Sequence, residues 1–241
     1  MSLNENNEKT ADCSYLPHYS STTSGVNINK SNKHVFEDLC KHRKGNATDL
    51  ICGYLKINRL RYKHEHIKDL LQRNLLDLLF LFETKIDESF PDAMFMVDNF
   101  SMCRSDRNQH GGGVIAYLRS DLAGDRKKQL EFKVLESVGI ELTSGGQKCF
   151  FSGIYKPPNM PDNVFNTDFS QAVDKIISRY DKYILIGDLN FDMLNSGKSE
   201  TLMDMCDVFD LKNVVTKATC FTKNSKPTLL DVILTSENTK C

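Results

Sequence analysis

The chain has 241 residues, 40% of them hydrophobic, which is enough apolar material for one large domain or two small ones. Its 31 Lys and Arg against 32 Asp and Glu leave a net charge of −1, which excludes a polyanion binder coated in lysine but leaves local basic patches free to grip phosphates. The longest strongly apolar run, Leu75 to Phe82, is broken by Asp77 and falls far short of the roughly 20 residues that cross a bilayer.

Residues 1 to 48 are rich in Asn, Ser, Thr and Lys without a sustained period of 2 or 3.6, so this segment is expected to be mostly disordered. Its polar start, with Glu5 and Glu8, lacks the basic and then apolar pattern of a secretory leader. From Leu50 the pattern changes. A strand over Ile51 to Asn58 leads into an amphipathic helix carrying Ile67, Leu70, Leu71 and Leu75, and a fully apolar strand follows, Leu76 to Phe82, ending at Glu83-Thr84-Lys85. A strand is expected near Met94 to Val97. After the polar stretch Arg104 to His110, Gly111-Gly112-Gly113 enters a strand through Leu118, the glycines permitting close backbone approach. Phe132 to Leu142 and Lys148 to Tyr155 flank a glycine loop and read as a hairpin. Asn163 to Tyr180 is a helix with Phe165, Phe169, Val173, Ile176 and Ile177 on one face; it delivers the chain to the strand Ile184-Leu185-Ile186, which empties into Gly187-Asp188-Leu189-Asn190, read as a glycine turn. A helix around Glu200 to Phe209 and a strand Leu229 to Leu234 complete a mixed pattern without strict βαβ alternation.

Polar residues recur where apolar strands end: Asn58, Glu83, Tyr155, Asp188 with Asn190, and Asp231 inside Leu230-Asp231-Val232-Ile233. Ligands collect at the carboxyl ends of strands in α/β folds. Each residue also has a structural reading. Asn58 serves as a helix cap, Glu83 as a capping acid, Tyr155 as a half-buried strand aromatic, Asp231 as an ion-pair member, and Asp188 with Asn190 as turn-closing side chains. The eight cysteines form no C-x-x-C pair, unlike a zinc site or disulfide framework, and are read as reduced. An intracellular location follows, nuclear if the chain acts on chromosomal DNA, although Arg126-Lys127-Lys128 is too short for a nuclear signal.

In this order the segments resemble the endonuclease/exonuclease/phosphatase superfamily, and within it the apurinic-like endonuclease domain of non-long-terminal-repeat retrotransposons. The resemblance covers residues 50 to 236. It is carried by Leu55 to Leu60, Phe82-Glu83-Thr84-Lys85 with Phe90-Pro91-Asp92, Arg104-x-Asp106-Arg107 before Gly111-Gly112-Gly113-Val114, Ile154-Tyr155-Lys156-Pro157-Pro158, Gly187-Asp188-Leu189-Asn190-Phe191-Asp192 and Leu230-Asp231-Val232-Ile233. It implies an α/β (α+β) fold: a four-layer sandwich of two mixed β-sheets packed face to face and flanked by helices, here without its final strand or strands.

The implied activity is hydrolysis of DNA phosphodiesters with Mg²⁺ or Mn²⁺, the metal held by Glu83 with Asn58 nearby. By the same resemblance Asp188 orients or deprotonates water, Asn190 holds Asp188 and the phosphate in register, and the Tyr155 hydroxyl bonds the phosphate. Asp231 orients a histidine that the family carries in a Ser-Asp-His segment; none of the six histidines here maps onto it, so the chain reads as truncated after Cys241. Arg104, Arg107, Lys156 and Lys223 are candidate DNA contacts, each equally readable as a surface charge. Two alternatives stand beside the endonuclease: an inactive remnant or nucleic-acid-binding scaffold, and a lipid or small-phosphoester phosphodiesterase of the same superfamily.

Overall fold

The computed structural model describes residues 14–15, 32–46, 49–144, 146–221, 226–236 and 239. Two mixed sheets pack face to face. The first contains β1 (Ser14–Tyr15), β2 (Cys52–Lys56), β3 (Leu78–Phe82), β4 (Phe100–Ser105) and β5 (Val114–Arg119), in the order β1-β2-β3-β5-β4. The second contains β6 (Gly124–Arg126), β7 (Glu136–Ser144), β8 (Gln147–Tyr155), β9 (Tyr183–Asp188), β10 (Leu211–Asn213) and β11 (Asp231–Ser236), in the order β10-β11-β9-β8-β7-β6. Four helices cover them: α1 (Asn32–Gly45), α2 (His64–Gln72), α3 (Asp162–Ile177) and α4 (Ser196–Val208).

The sequence pattern explains the layering. Along β3 every residue is buried, and the two faces go to different places. Leu78, Phe80 and Phe82 join the core between the sheets, while Leu79 and Leu81 pack with Ile67 and Leu71 of α2. A strand covered on both faces reads as a continuous apolar run, which is what Leu78 to Phe82 is. On the far side, Phe165, Phe169, Val173 and Ile176 of α3 recur at helical spacing and are fully buried with the second sheet. Each such side chain contributes on the order of 1.5–3 kcal/mol by leaving water.

Each sheet also contains a parallel pair, β2 with β3 and β8 with β9, joined through α2 and α3 respectively. Parallel neighbours need such a crossover and end at the same edge. The remaining named pairs are antiparallel. Because β11 runs against β9, its first residue, Asp231, stands opposite the last residue of β9, Asp188. The topology therefore gathers β2, β3, β8 and β9 by their carboxyl ends and β11 by its start.

Three expectations differ from the structure. Met94 to Val97 is not a strand: Asp92–Met94 is a 3₁₀ turn, and the strand lies at Phe100–Ser105. Phe95 and Val97 are buried at a spacing of two, so a loop imitates strand alternation. Within the segment expected to be mostly disordered, Asn32–Gly45 is a helix whose Phe36, Leu39 and Cys40 pack beside β3 residues. Three apolar residues do not stand out in a polar composition. Gly187 is no turn residue either, since it lies inside β9 with Asp188 as the last strand residue. Among the described residues no helix is long and apolar enough to cross a membrane.

Candidate active site

The strand ends build one polar cluster from both sheets. Lys56 closes β2, Glu83 follows β3, Tyr155 closes β8, Asp188 closes β9 and Asp231 opens β11. Tyr155 pairs in register with Asp188, and Asp188 with Asp231, so three side chains stand in one row across neighbouring strands. The first sheet closes over that row through Lys56, whose Nζ lies 2.7 Å from Asp188 Oδ2 and 2.9 Å from Glu83 Oε1.

The loops leaving these strands are tightly specified. Asn58, Arg59, Glu83, Lys85 and Asn190 all have positive φ without being glycine, a conformation costing roughly 1 kcal/mol or more each and persisting only where surroundings enforce it. The enforcement is visible. Arg59 N donates to Glu83 O, Leu60 N to Thr84 O and Lys85 N to Gly112 O, at 3.0, 2.9 and 3.0 Å. The triple glycine is what allows this packing: Gly113 has φ 90, and a Cβ there would run into Thr84 Oγ1. Glu136 ties the same loop by accepting from Gly113 N and pairing with Arg107 Nη1 at 3.0 Å. At the other sheet, Asn190 Nδ2 donates to Lys156 O at 2.7 Å while its backbone N reaches Asp188 Oδ1 at 3.3 Å.

Charge is nearly balanced inside the cluster. Burial pulls the Lys56 ammonium down, but Asp188 and Glu83 together more than offset this and hold it well above the ordinary lysine value. Burial raises the Asp188 carboxyl, and Lys56 works against that rise. Burial and the facing Asp188 push Asp231 up to about 8, so it is largely protonated at neutral pH. Burial, then Glu83 and Asp188, push Tyr155 up to about 12, so its hydroxyl keeps its proton and remains a donor. With Asp231 neutral, the two cations Lys56 and Lys85 face the two carboxylates Glu83 and Asp188.

That balance decides the metal question for these side chains as they stand. A divalent ion such as Mg²⁺ is held by one or two carboxylates, its remaining positions filled by other oxygen ligands, waters among them. Here Glu83 and Asp188 converge on an ammonium, and the Asn58 amide oxygen accepts from Lys85 Nζ instead of facing Glu83. Among the described residues no three His, Cys, Asp or Glu side chains are arranged to hold a metal ion. The residues present do not fit Mg²⁺ or Mn²⁺.

The structure thus brings Glu83, Tyr155, Asp188, Asn190 and Asp231 together and sets Asn58 one lysine away. Asp231 keeps an oxygen, Oδ1, buried without a hydrogen-bond partner; the groups that bear on it are Asp188, Thr219, Lys56 and Cys220, with no histidine among them. Of the basic candidates, Arg107 lies at the site, its guanidinium 5.6 Å from the Tyr155 ring centre. Lys156 is buried over the Phe191 ring at 4.5 Å, and burial lowers its ammonium; it lines a cavity of about 470 Å³ with Asn190 and Asp192. Arg104 does not join the cluster, because Asp106, Asp92 and the carbonyls of Phe90 and Asp87 hold its guanidinium. Lys223 lies outside the described residues. Sequence reasoning missed Lys56. The signal was there: Cys52 and Tyr54 face the inter-sheet core, so by strand period Lys56 does too, and an inward lysine requires partners.

The family model for the endonuclease/exonuclease/phosphatase family matches residues 27–240. The chain belongs to that family. Among solved structures, the endonuclease domain of TRAS1, a telomere-specific non-LTR retrotransposon, is similar at 14% identity and a TM-score of 0.57, covering 78% of this chain and 83% of that one. A 3'-5' exonuclease from Neisseria meningitidis is similar at 18% identity and a TM-score of 0.56, covering 76% and 85%. A Neisseria 3' phosphatase bound to a product DNA hairpin gives 19% and 0.55, covering 76% and 85%. At these identities the likeness is one of fold. Comparison with curated proteins finds no match.

Proposed function

We propose that this chain engages DNA at the carboxyl edge and is a DNA phosphodiesterase domain of the retrotransposon endonuclease type. One observation carries the reading: Glu83, Tyr155, Asp188 with Asn190, and Asp231 come from four strand ends of the two sheets and lie together at one edge, where a phosphate could be met from both sheets. Asp188 is the ionisable group positioned to orient or deprotonate water, and the protonated Tyr155 hydroxyl is the donor to the phosphate. The solved retrotransposon endonuclease and the DNA-bound phosphatase support DNA over lipid as the substrate class.

The edge also offers a stacking platform. Tyr62 is 70% exposed on the 3₁₀ turn that follows Asn58, and Arg61 lies 5.5 Å from its ring centre. A base stacked on Tyr62 is worth roughly 1–3 kcal/mol. Tyr62→Ala is therefore expected to weaken binding of a short DNA duplex with frayed ends by about tenfold in fluorescence anisotropy without changing the unfolding temperature. Arg61→Ala is expected to flatten the slope of log affinity against log salt by roughly 0.9, the share of one phosphate contact. Binding of phosphoinositide vesicles in preference to DNA would move the substrate to the lipid branch.

A second reading, DNA binding without hydrolysis, is favoured by Lys56 bridging the two carboxylates that hydrolysis needs. Nicking of supercoiled plasmid separates the two. Turnover that Asp188→Asn removes supports the phosphodiesterase; binding with background nicking in both proteins leaves the non-hydrolysing domain.

A further inference from the structure

Lys56 carries three N–H donors. Two are engaged, on Asp188 Oδ2 and Glu83 Oε1, and no third partner is present among the described residues. The side chain is 18% exposed while Asp188 is 1% exposed, so the ammonium lies between the buried carboxylate and solvent. Its place is fixed by the strand, since Lys56 is the last residue of β2, in register with Phe82 of β3, and Ile57 N continues the ladder to Phe82 O at 3.0 Å. The position is therefore built into the sheet.

We propose that the Lys56 ammonium is the resident cation of this site: it joins Glu83 to Asp188 in place of a divalent ion and offers its third N–H to a phosphate oxygen, so that phosphate binding here is independent of divalent metal. The phosphate half of this statement rests on the DNA reading above; the cation half rests on the side chains alone. Charge supports it. Lys56 and Lys85 already neutralise Glu83 and Asp188, and a divalent ion added to the same space would meet an ammonium less than 3 Å from both of its carboxylates, a repulsion that opposes its binding.

The experiment titrates Mn²⁺ into the full chain, following free ion by electron paramagnetic resonance, and measures DNA binding by anisotropy with Mg²⁺ or with EDTA. The wild-type chain is expected to show no saturable Mn²⁺ site and the same DNA affinity in both buffers. Lys56→Asn, which replaces the cation by a short amide with an oxygen ligand, is expected to gain one Mn²⁺ site that is lost again in Lys56→Asn with Glu83→Gln. Lys56→Met removes the cation without supplying a ligand and is expected to bind DNA about tenfold more weakly, the value of one charge-assisted hydrogen bond. Stoichiometric Mn²⁺ binding by the wild type that Glu83→Gln abolishes overturns the proposal. Should the Lys56 variants fail to fold, the wild-type titration alone decides. A chain that excludes Mn²⁺ yet binds no DNA keeps the resident cation and overturns the phosphate contact together with the DNA reading, so the two failures are told apart.

Discussion

Gly187→Ala will destabilise the fold by about 3 kcal/mol or more, enough to be seen as loss of soluble protein or a large drop in unfolding temperature. The glycine sits in β9, directly opposite Ile154 of the parallel strand β8. A Cβ at this position would overlap the Ile154 carbonyl oxygen and stand 2.9 Å from its carbon and 3.3 Å from its Cα. All three atoms are backbone. Nothing can swing aside, so relief requires moving β8 away from β9, which breaks the ladder that sets Tyr155 beside Asp188. Gly197 provides the control. It lies in the first turn of α4, and an added Cβ meets only the Asn195 side chain at 3.7 Å. Gly197→Ala should be neutral or stabilise by roughly 0.4–1 kcal/mol through the unfolded chain. Equal urea midpoints for the two variants would contradict this account of Gly187.

The same glycine shows where sequence reading works and where it stops. The apolar run Ile184 to Ile186 announces a strand, and that strand is there, but the turn expected at Gly187 and Asp188 is instead the last two residues of β9. The role of the glycine does not follow from that run, because its reason is the carbonyl of a residue 33 positions earlier, brought alongside by a parallel pairing. Long periodic segments were legible for a physical reason: α3 and β3 bury whole faces, so their composition carries the period. Short elements were not. β6 and β10 have three residues each, too few to display alternation, and α1 is anchored by three apolar side chains.

Within the site, acids and amides drew attention because burying them is costly, and the structure does gather them. Lys56 is subject to the same rule and was passed over because lysine at a strand end reads as a surface residue. Its partners come from the end of the neighbouring strand and from a strand of the opposite sheet, Glu83 and Asp188. No local pattern near residue 56 contains the second of these. The lesson is specific: at an inward strand position any charge, of either sign, demands a partner across the sandwich.

Asp231→Asn should stabilise the protein increasingly as pH rises, which inverts the usual outcome of removing a buried acid. Burial and the neighbouring Asp188 push the Asp231 carboxyl up to about 8 from its ordinary 3.8. In the unfolded chain the same group ionises near its ordinary value. Below that pH both states hold the proton and nothing is lost. As pH rises past it, the unfolded state sheds its proton while the folded state retains one, so folding stability falls steadily until the folded carboxyl ionises near 8. At about 1.4 kcal/mol per unit the full interval sets an upper bound of about 5–6 kcal/mol. The higher effective dielectric of real interiors brings the expected value to about 2 kcal/mol. An amide at 231 carries no charge to suppress and, standing opposite Asp188 on β11, has N–H donors to turn toward that carboxylate. The difference in unfolding temperature between variant and wild type should be near zero at pH 4 and about 4–8 °C at pH 8. Melting curves that stay parallel across this window would show that Asp231 is ionised in the folded protein. An ionised Asp231 would need a cation or proton donor of its own, and Lys56 is already shared between Glu83 and Asp188; a neutral Asp231 is the state that leaves the balance of this cluster intact.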